Sequence, residues 1–146
     1  MVRCNVAYAF LQALPSGVVS LEDIVKWADT AIVEEDEPCI EIIELSAAQK
    51  ESEALLQLKI LSAGYDEEKA MKLFFDLCYE ALKNGVANYS TVARRLFFWS
   101  AYETSLEGYS GFVSFWDSLD LAYDCVYGNP EEIEREMLAY LGEKKA

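Results

Sequence analysis

The stretch DEEKAMKLFFDLCYEALKNG, residues 66–85, decides the fold because its apolar residues recur with the period of an α-helix. Asp66 and the two glutamates after it form a helix start signal, since acidic groups complement the free N–H groups of a first turn. Asn84-Gly85 forms a stop signal. The residues predicted to face inward are Met71, Phe74, Cys78, Ala81 and Leu82. One face of this helix is therefore expected to pack against other helices.

Similar signals precede this helix. Ser20 and Asp23 match a capping box, and the apolar residues that follow keep a helical period to Ile32. Ser46 and Gln49 match a second capping box, so a further helix is predicted to start there. The apolar amino end, residues 1–15, is interpreted as a first core helix and not as a secretion signal, because Gln12 and Pro15 interrupt it.

Similar signals also follow it. Ser90 is predicted to cap a helix that runs through TVARRLFFWSAYETSL, and a later helix is predicted to bury Phe112, Tyr123 and Val126. Asn129-Pro130 is a strong start signal for the last helix. Because no linker or repeat interrupts the 146 residues, the sequence predicts one all-α domain over residues 1–146, a bundle of seven to eight helices.

The residue types bound the chemistry. The chain contains no histidine, which excludes imidazole acid–base steps, Ser-His activation and His-ligated zinc. Its four cysteines are widely spaced among apolar residues, so we expect buried thiols in a reducing cytoplasm. No apolar run approaches the roughly 20 residues that span a bilayer. We therefore expect a cytoplasmic protein that is not an enzyme and has no cofactor and no metal.

The charge is strongly negative and unevenly distributed. The net charge is −14, and residues 20–53 carry eleven acids against Lys26 and Lys50. Binding to nucleic acid or to an anionic membrane requires a basic face, so both are disfavoured. A basic protein is the natural complement, because clustered charge of one sign steers oppositely charged proteins together. The alternative is that the acids only keep the protein in solution.

The acids are densest between residues 33 and 45, in the stretch VEEDEPCIEIIEL. The first of them stand at the carboxyl end of a predicted helix, where negative charge opposes the helix macrodipole at a cost of about 0.3–1 kcal/mol each. Such breaches of a local rule concentrate at functional sites. The candidate partner-binding residues are Glu34, Glu35, Asp36, Glu37, Glu41 and Glu44.

Two other groups of charged residues carry competing hypotheses. Asp117, Asp120 and Asp124 share a helix face, as do Glu41 and Glu44, so either set suits a hard cation or carboxylate chemistry. Carboxylates at this spacing are also typical of a solvated helix face. The adjacent Arg94 and Arg95 suit an anion, or else they pair with acids and pack on aromatic rings.

Ten of the 19 aromatic residues fall between Phe97 and Tyr127, more than one core-facing stripe accommodates. Trp99, Tyr102 and Tyr109 are candidates for an interface, either with a partner or in a homodimer. The alternative is that these two helices lie in the middle of the bundle and are covered on several sides.

The segments DIVKWADTAI, DEP and IEIIELSAA, within residues 23–48, resemble an amino-terminal segment of small uncharacterised bacterial proteins. Some proteins of this acidic, cytoplasmic kind resemble the immunity partners of secreted toxins. The resemblance contains no catalytic motif and assigns no residue a role. The resemblance favours an interaction role, and together with the clustered acids it predicts a small protein-binding module, an immunity or regulatory protein that neutralises a basic partner.

Overall fold

A computed structural model describes residues 2–146, and within this range it contains eight α-helices and no β-strand. The prediction of an all-α bundle is therefore confirmed. The helices are α1 (Arg3–Ala13), α2 (Leu21–Glu34), α3 (Ile40–Ser46), α4 (Glu51–Leu61), α5 (Glu67–Lys83), α6 (Tyr89–Phe98), α7 (Phe115–Tyr123) and α8 (Pro130–Lys144). A π-helical turn (Trp99–Glu103) and a 3-10 turn (Ser110–Val113) join α6 to α7. No helix in the described range combines the length and the apolar character that crossing a lipid bilayer demands.

Helix α5 lies at the centre of the bundle and packs against α1 and α8. Asp66 caps it by accepting a hydrogen bond from the Lys69 N–H at 3.0 Å. The residues predicted to face inward are all buried, and Phe75 joins them with no exposed surface. The predicted start of α5 and its predicted inward face are thus confirmed.

Two hydrophobic cores meet along α1. The larger core gathers side chains of α5 to α8 and of the turns between α6 and α7, and α1 contributes Ala9 and Ala13. The smaller core gathers side chains of α2, α3 and α4, together with Ala7 of α1 and Leu14 just after it. Alanines on opposite faces of α1 allow close approach on both sides, because they present little more than backbone. The two cores consequently form one packed unit.

Besides the cap at Asp66, two further predicted helix starts are confirmed in atomic detail. The Asp23 N–H donates to Ser20 Oγ at 3.1 Å, and the Ser20 N–H donates back to Asp23 Oδ2 at 3.2 Å. Asn129 Oδ1 accepts from the Glu131 N–H at 2.9 Å, and Pro130 occupies the first turn of α8.

The other two predicted starts are wrong. Ser46 is the last residue of α3 and donates a hydrogen bond to Asp29, while α4 begins later without any side-chain cap. Asn88 caps α6 in place of Ser90, accepting from the Thr91 N–H at 3.1 Å. Asparagine is as suitable a capping residue as serine, and Asn88 lies two residues before Ser90. The helix therefore starts after Asn88, and Ser90 falls inside it.

The aromatic region departs from the sequence prediction in its helix limits. The helix predicted to run past residue 100 ends at Phe98 and gives way to the π-helical turn. Phe112 is buried as predicted, but Tyr123 and Val126 are 44% and 69% exposed. The reason is that α7 ends at Tyr123, and Cys125 then adopts a left-handed backbone with a φ of 58° that turns the chain outward.

The prediction of buried thiols holds for Cys78 and fails elsewhere. All four cysteines are free, Cys4 is half-buried, and Cys39 and Cys125 are exposed. The exposed pair lie at the start of α3 and in the loop after α7, where apolar neighbours in the sequence also face solvent.

Candidate functional site

The predicted acidic residues lie together where α2 ends and α3 begins. Glu34 is the last residue of α2, residues 35–39 form the turn, and Glu41 and Glu44 lie on α3. We call Glu34, Glu35, Asp36, Glu37, Glu41 and Glu44 the acidic surface.

Two contacts fix the position of α3 beside α2. Ile42 and Leu45 of α3 have no exposed surface, and Leu45 packs with Ala28 of α2 in the smaller core. The Ser46 hydroxyl donates to the Asp29 carboxylate across the two helices. Because Ile42 and Leu45 are packed in the interior, the start of α3 and the acids next to it are held in a fixed position.

The molecule neutralises little of this charge itself. Glu35 pairs with the Arg3 guanidinium of α1, and Glu44 accepts a hydrogen bond from the buried Gln57 amide at 2.7 Å. Among the residues that the structure describes, the ion pairs of this protein include none to the other four acids. Glu34, Asp36 and Glu37 are exposed, Glu41 is half-buried, and all four carry a charge that no ion pair of the described chain offsets.

Exposed apolar side chains stand among these acids. Val33 is 85% exposed, Ile40 is 60% exposed and Ile43 is 44% exposed. On the neighbouring α4, Leu56 shares a shallow depression with Glu44 and is exposed as well. Ile40 and Ile43 are three residues apart and share one side of α3, and this side faces water.

The aromatic interface candidates separate into core and surface. Trp99 and Tyr109 are 1% and 8% exposed, with ring centroids 5.5 and 5.6 Å from that of Phe75. The prediction that these two residues form an interface is wrong, because the π-helical turn and the loop after it fold both rings over α5. Tyr102, at 73% exposed, is the candidate that reaches the surface.

The two arginines make the contacts that their alternative interpretation predicted. Arg95 donates to both carboxylate oxygens of Glu103, at 2.7 and 2.6 Å, and to Gln12 Oε1 at 2.7 Å. Hydrogen bonding from Arg95 lowers the pKa of the Glu103 carboxyl below its ordinary value of 4.5. The Arg94 guanidinium lies over the rings of Phe98 and Trp116, 5.8 and 5.7 Å from their centroids. Both side chains are thus engaged within the fold.

The competing carboxylate set consists of Asp117 and Asp120 on α7 and Asp124 just after its last residue, and it does not converge on a common point. Asp117, Asp120 and Asp124 are all exposed. Within residues 2–146 no three acidic or cysteine side chains are grouped closely enough to hold a metal ion.

A groove that no sequence pattern predicted lies between α7 and α8, with a volume of about 570 Å³. Its walls include Phe115, Leu121, Tyr127, Glu132, Ile133 and Glu136. Helical periodicity predicts which residues face the core. A gap between two neighbouring helices depends instead on the distance between them, and no local sequence pattern encodes that distance.

The fold and its surface charge define a small, acidic, all-α protein. Comparison with protein-family models, with curated proteins and with solved structures found no match for the chain.

Proposed function

We propose that this protein is a cytoplasmic protein-binding module whose acidic surface captures and neutralises a basic partner protein, in an immunity or regulatory role. One observation supports the proposal: acids without an ion pair in the described chain lie beside exposed aliphatic side chains. The acids are Glu34, Asp36, Glu37 and Glu41, and the aliphatic residues are Val33 and Ile40.

Each component of this mixture has a separate physical role. Carboxylates that are not neutralised within the protein steer a cationic surface toward the site and accelerate encounter. Exposed aliphatic side chains contribute little to steering, but they lose water on contact and slow dissociation. A surface that served only to keep the protein in solution needs the charges and does not need the aliphatic residues.

The location of the acids also favours binding. Glu34 lies in the last turn of α2, where the macrodipole makes a carboxylate unfavourable by about 0.3–1 kcal/mol. No cation in the last turn of α2 offsets it. A cationic partner that covers this helix end relieves the unfavourable interaction, which adds to its affinity for the site.

The test compares two variants that change the net charge equally. One carries Glu34→Gln, Asp36→Asn, Glu37→Gln and Glu41→Gln. The control carries Glu80→Gln, Glu107→Gln, Asp120→Asn and Glu143→Gln, four exposed acids outside the ion pairs of the described chain. Immobilised wild type and both variants are used for affinity capture from a lysate of the source cells at about 50 and 300 mM salt.

We expect the first variant to lose a basic protein that the wild type and the control retain at low salt. Higher salt should weaken capture by the wild type, since screening shortens the range of the charges. The first variant should unfold in urea at the wild-type concentration or above it, because neutralisation relieves the unfavourable helix end. Equal capture by the two variants at both salt concentrations would contradict the proposal.

A further inference from the structure

The groove between α7 and α8 lies on the opposite side of α1 and α5 from the acidic surface. Helices α2 and α3 pack in the smaller core, while α7 and α8 pack in the larger one. The volume of about 570 Å³ falls within the range of about 300–1,000 Å³ that is typical of ligand sites. The groove is therefore a separate surface of suitable size.

One part of the groove is apolar and firmly held. Phe115 and Ile133 are half-buried, and their inner surfaces pack against the larger core. Leu121 and Tyr127 stand at the open side and are 43% and 79% exposed. An aliphatic side chain entering here would remove water from all four residues without displacing any core packing.

The α8 wall is acidic. Glu132 and Glu136 lie four residues apart, so both carboxylates project from one face of the helix toward the groove. The ion pairs formed within residues 2–146 include neither of them. Arg135, the one basic residue in the first three turns of α8, does not line the groove.

The loop that closes one end of the groove has an unusual backbone. Cys125 has a φ of 58°, a left-handed conformation that side chains other than glycine seldom adopt, and Gly128 follows with a φ of 86°. Between them Val126 and Tyr127 are held away from the protein and exposed. Asn129 is occupied in capping α8, so it fixes the base of the loop.

We propose that the α7–α8 groove binds a short peptide segment that places an aliphatic side chain next to a lysine or arginine. The aliphatic group fits against Phe115, Leu121 and Ile133, and the cation reaches Glu132 and Glu136 on the other wall. Charge complementarity selects this occupant, because a neutral or acidic peptide would leave two carboxylates desolvated without a partner. The site does not depend on the acidic surface between α2 and α3.

The probe is a fluorescein-labelled hexapeptide of alternating leucine and lysine, and its binding to the full chain is measured by fluorescence anisotropy. A serine–lysine hexapeptide and a leucine–glutamate hexapeptide serve as comparison probes. The groove variant carries Glu132→Gln and Glu136→Gln. The matched control carries Glu107→Gln and Glu143→Gln, which remove the same charge from exposed positions outside the groove.

We expect the leucine–lysine probe to bind, and the groove variant to weaken binding by about three- to tenfold while the control stays near the wild-type value. The variant Leu121→Ser/Tyr127→Ser should weaken the leucine–lysine probe and leave the weaker serine–lysine probe unaffected. Circular dichroism melting checks that each variant is folded.

Several results would overturn this proposal. These are no binding of the leucine–lysine probe, an equal loss in the groove and control variants, or equal binding of the leucine–glutamate probe. Loss of binding only in the variant that neutralises Glu34, Asp36, Glu37 and Glu41 would place the peptide on the acidic surface instead. Binding that depends on the groove alone would support the peptide site and would have no bearing on the proposed function, which the affinity capture tests.

Discussion

At the scale of single residues, three serines of this chain precede patterns that predict a helix start, and only Ser20 caps a helix. An N-terminal cap must be the residue immediately before the helix. From there its side-chain oxygen accepts a hydrogen bond from the N–H of the second or third helical residue. Ser20 has this position, whereas Ser46 ends a helix and Ser90 lies inside one. The spacing of residues identifies candidate caps, and the conformation of the residues around each candidate decides which of them caps a helix.

The capping of α6 is directly testable. Replacing Asn88 by alanine removes the acceptor for the Thr91 N–H, so the free energy of unfolding should fall by about 1 kcal/mol. Ser90→Ala should change it by less than about 0.5 kcal/mol, since Ser90 makes no capping bond. Urea unfolding of the two variants beside the wild type measures both values. A larger loss for Ser90→Ala than for Asn88→Ala would contradict the assignment.

At the scale of elements, the π-helical turn determines where the aromatic side chains point. The Thr104 N–H donates to the Trp99 carbonyl at 3.0 Å, a five-residue step that widens the helix by one residue. Trp99 then faces the core while Tyr102 faces solvent. Arg95 of α6 holds Glu103, the last residue of this turn, and it also donates to Gln12 of α1.

This connection predicts a pH dependence of stability. The folded protein lowers the pKa of Glu103, so its carboxylate contributes stability above its ordinary pKa of 4.5, and this contribution is lost as the pH falls toward the folded value. Because Glu103 is partly exposed, we expect the contribution to be about 0.5–1 kcal/mol. Urea unfolding of Glu103→Gln and wild type should differ by this amount at pH 7, and the difference should shrink as the pH falls below 4.5.

The matched control for this measurement is Glu107→Gln, an exposed acid four residues further along with no ion pair among the described residues. It should follow the wild-type pH dependence throughout. A difference between Glu103→Gln and wild type that stays constant from pH 7 to pH 3 would show that the carboxylate charge is not responsible.

At the scale of the whole molecule, unbalanced charge is the dominant surface feature. The five ion pairs of the described chain engage five of the 26 acidic residues, and the net charge is −14. Carboxylates distributed over a compact molecule repel one another, and unfolding increases their separation. The packed cores hold the molecule together against this repulsion.

Salt should therefore stabilise this protein. Raising the ionic strength from about 0.01 to 0.1 M shortens the screening length from about 30 to 10 Å, so we expect the melting temperature to rise by about 2–4 °C. The variant that neutralises Glu34, Asp36, Glu37 and Glu41 should show a smaller rise. Thermal unfolding by circular dichroism measures both, and a fall in melting temperature with salt would contradict the repulsion.

The sequence by itself determined the all-α class, the inward face of α5, and the starts of α2, α5 and α8, because helical periodicity and a capping residue act within a few neighbouring positions. It also determined the chain position of the acids. Only the tertiary structure decided that Glu35 is neutralised by Arg3, that Trp99 and Tyr109 are buried, and that a groove separates α7 from α8. These features depend on how closely different elements pack against one another, and no local sequence pattern encodes that packing.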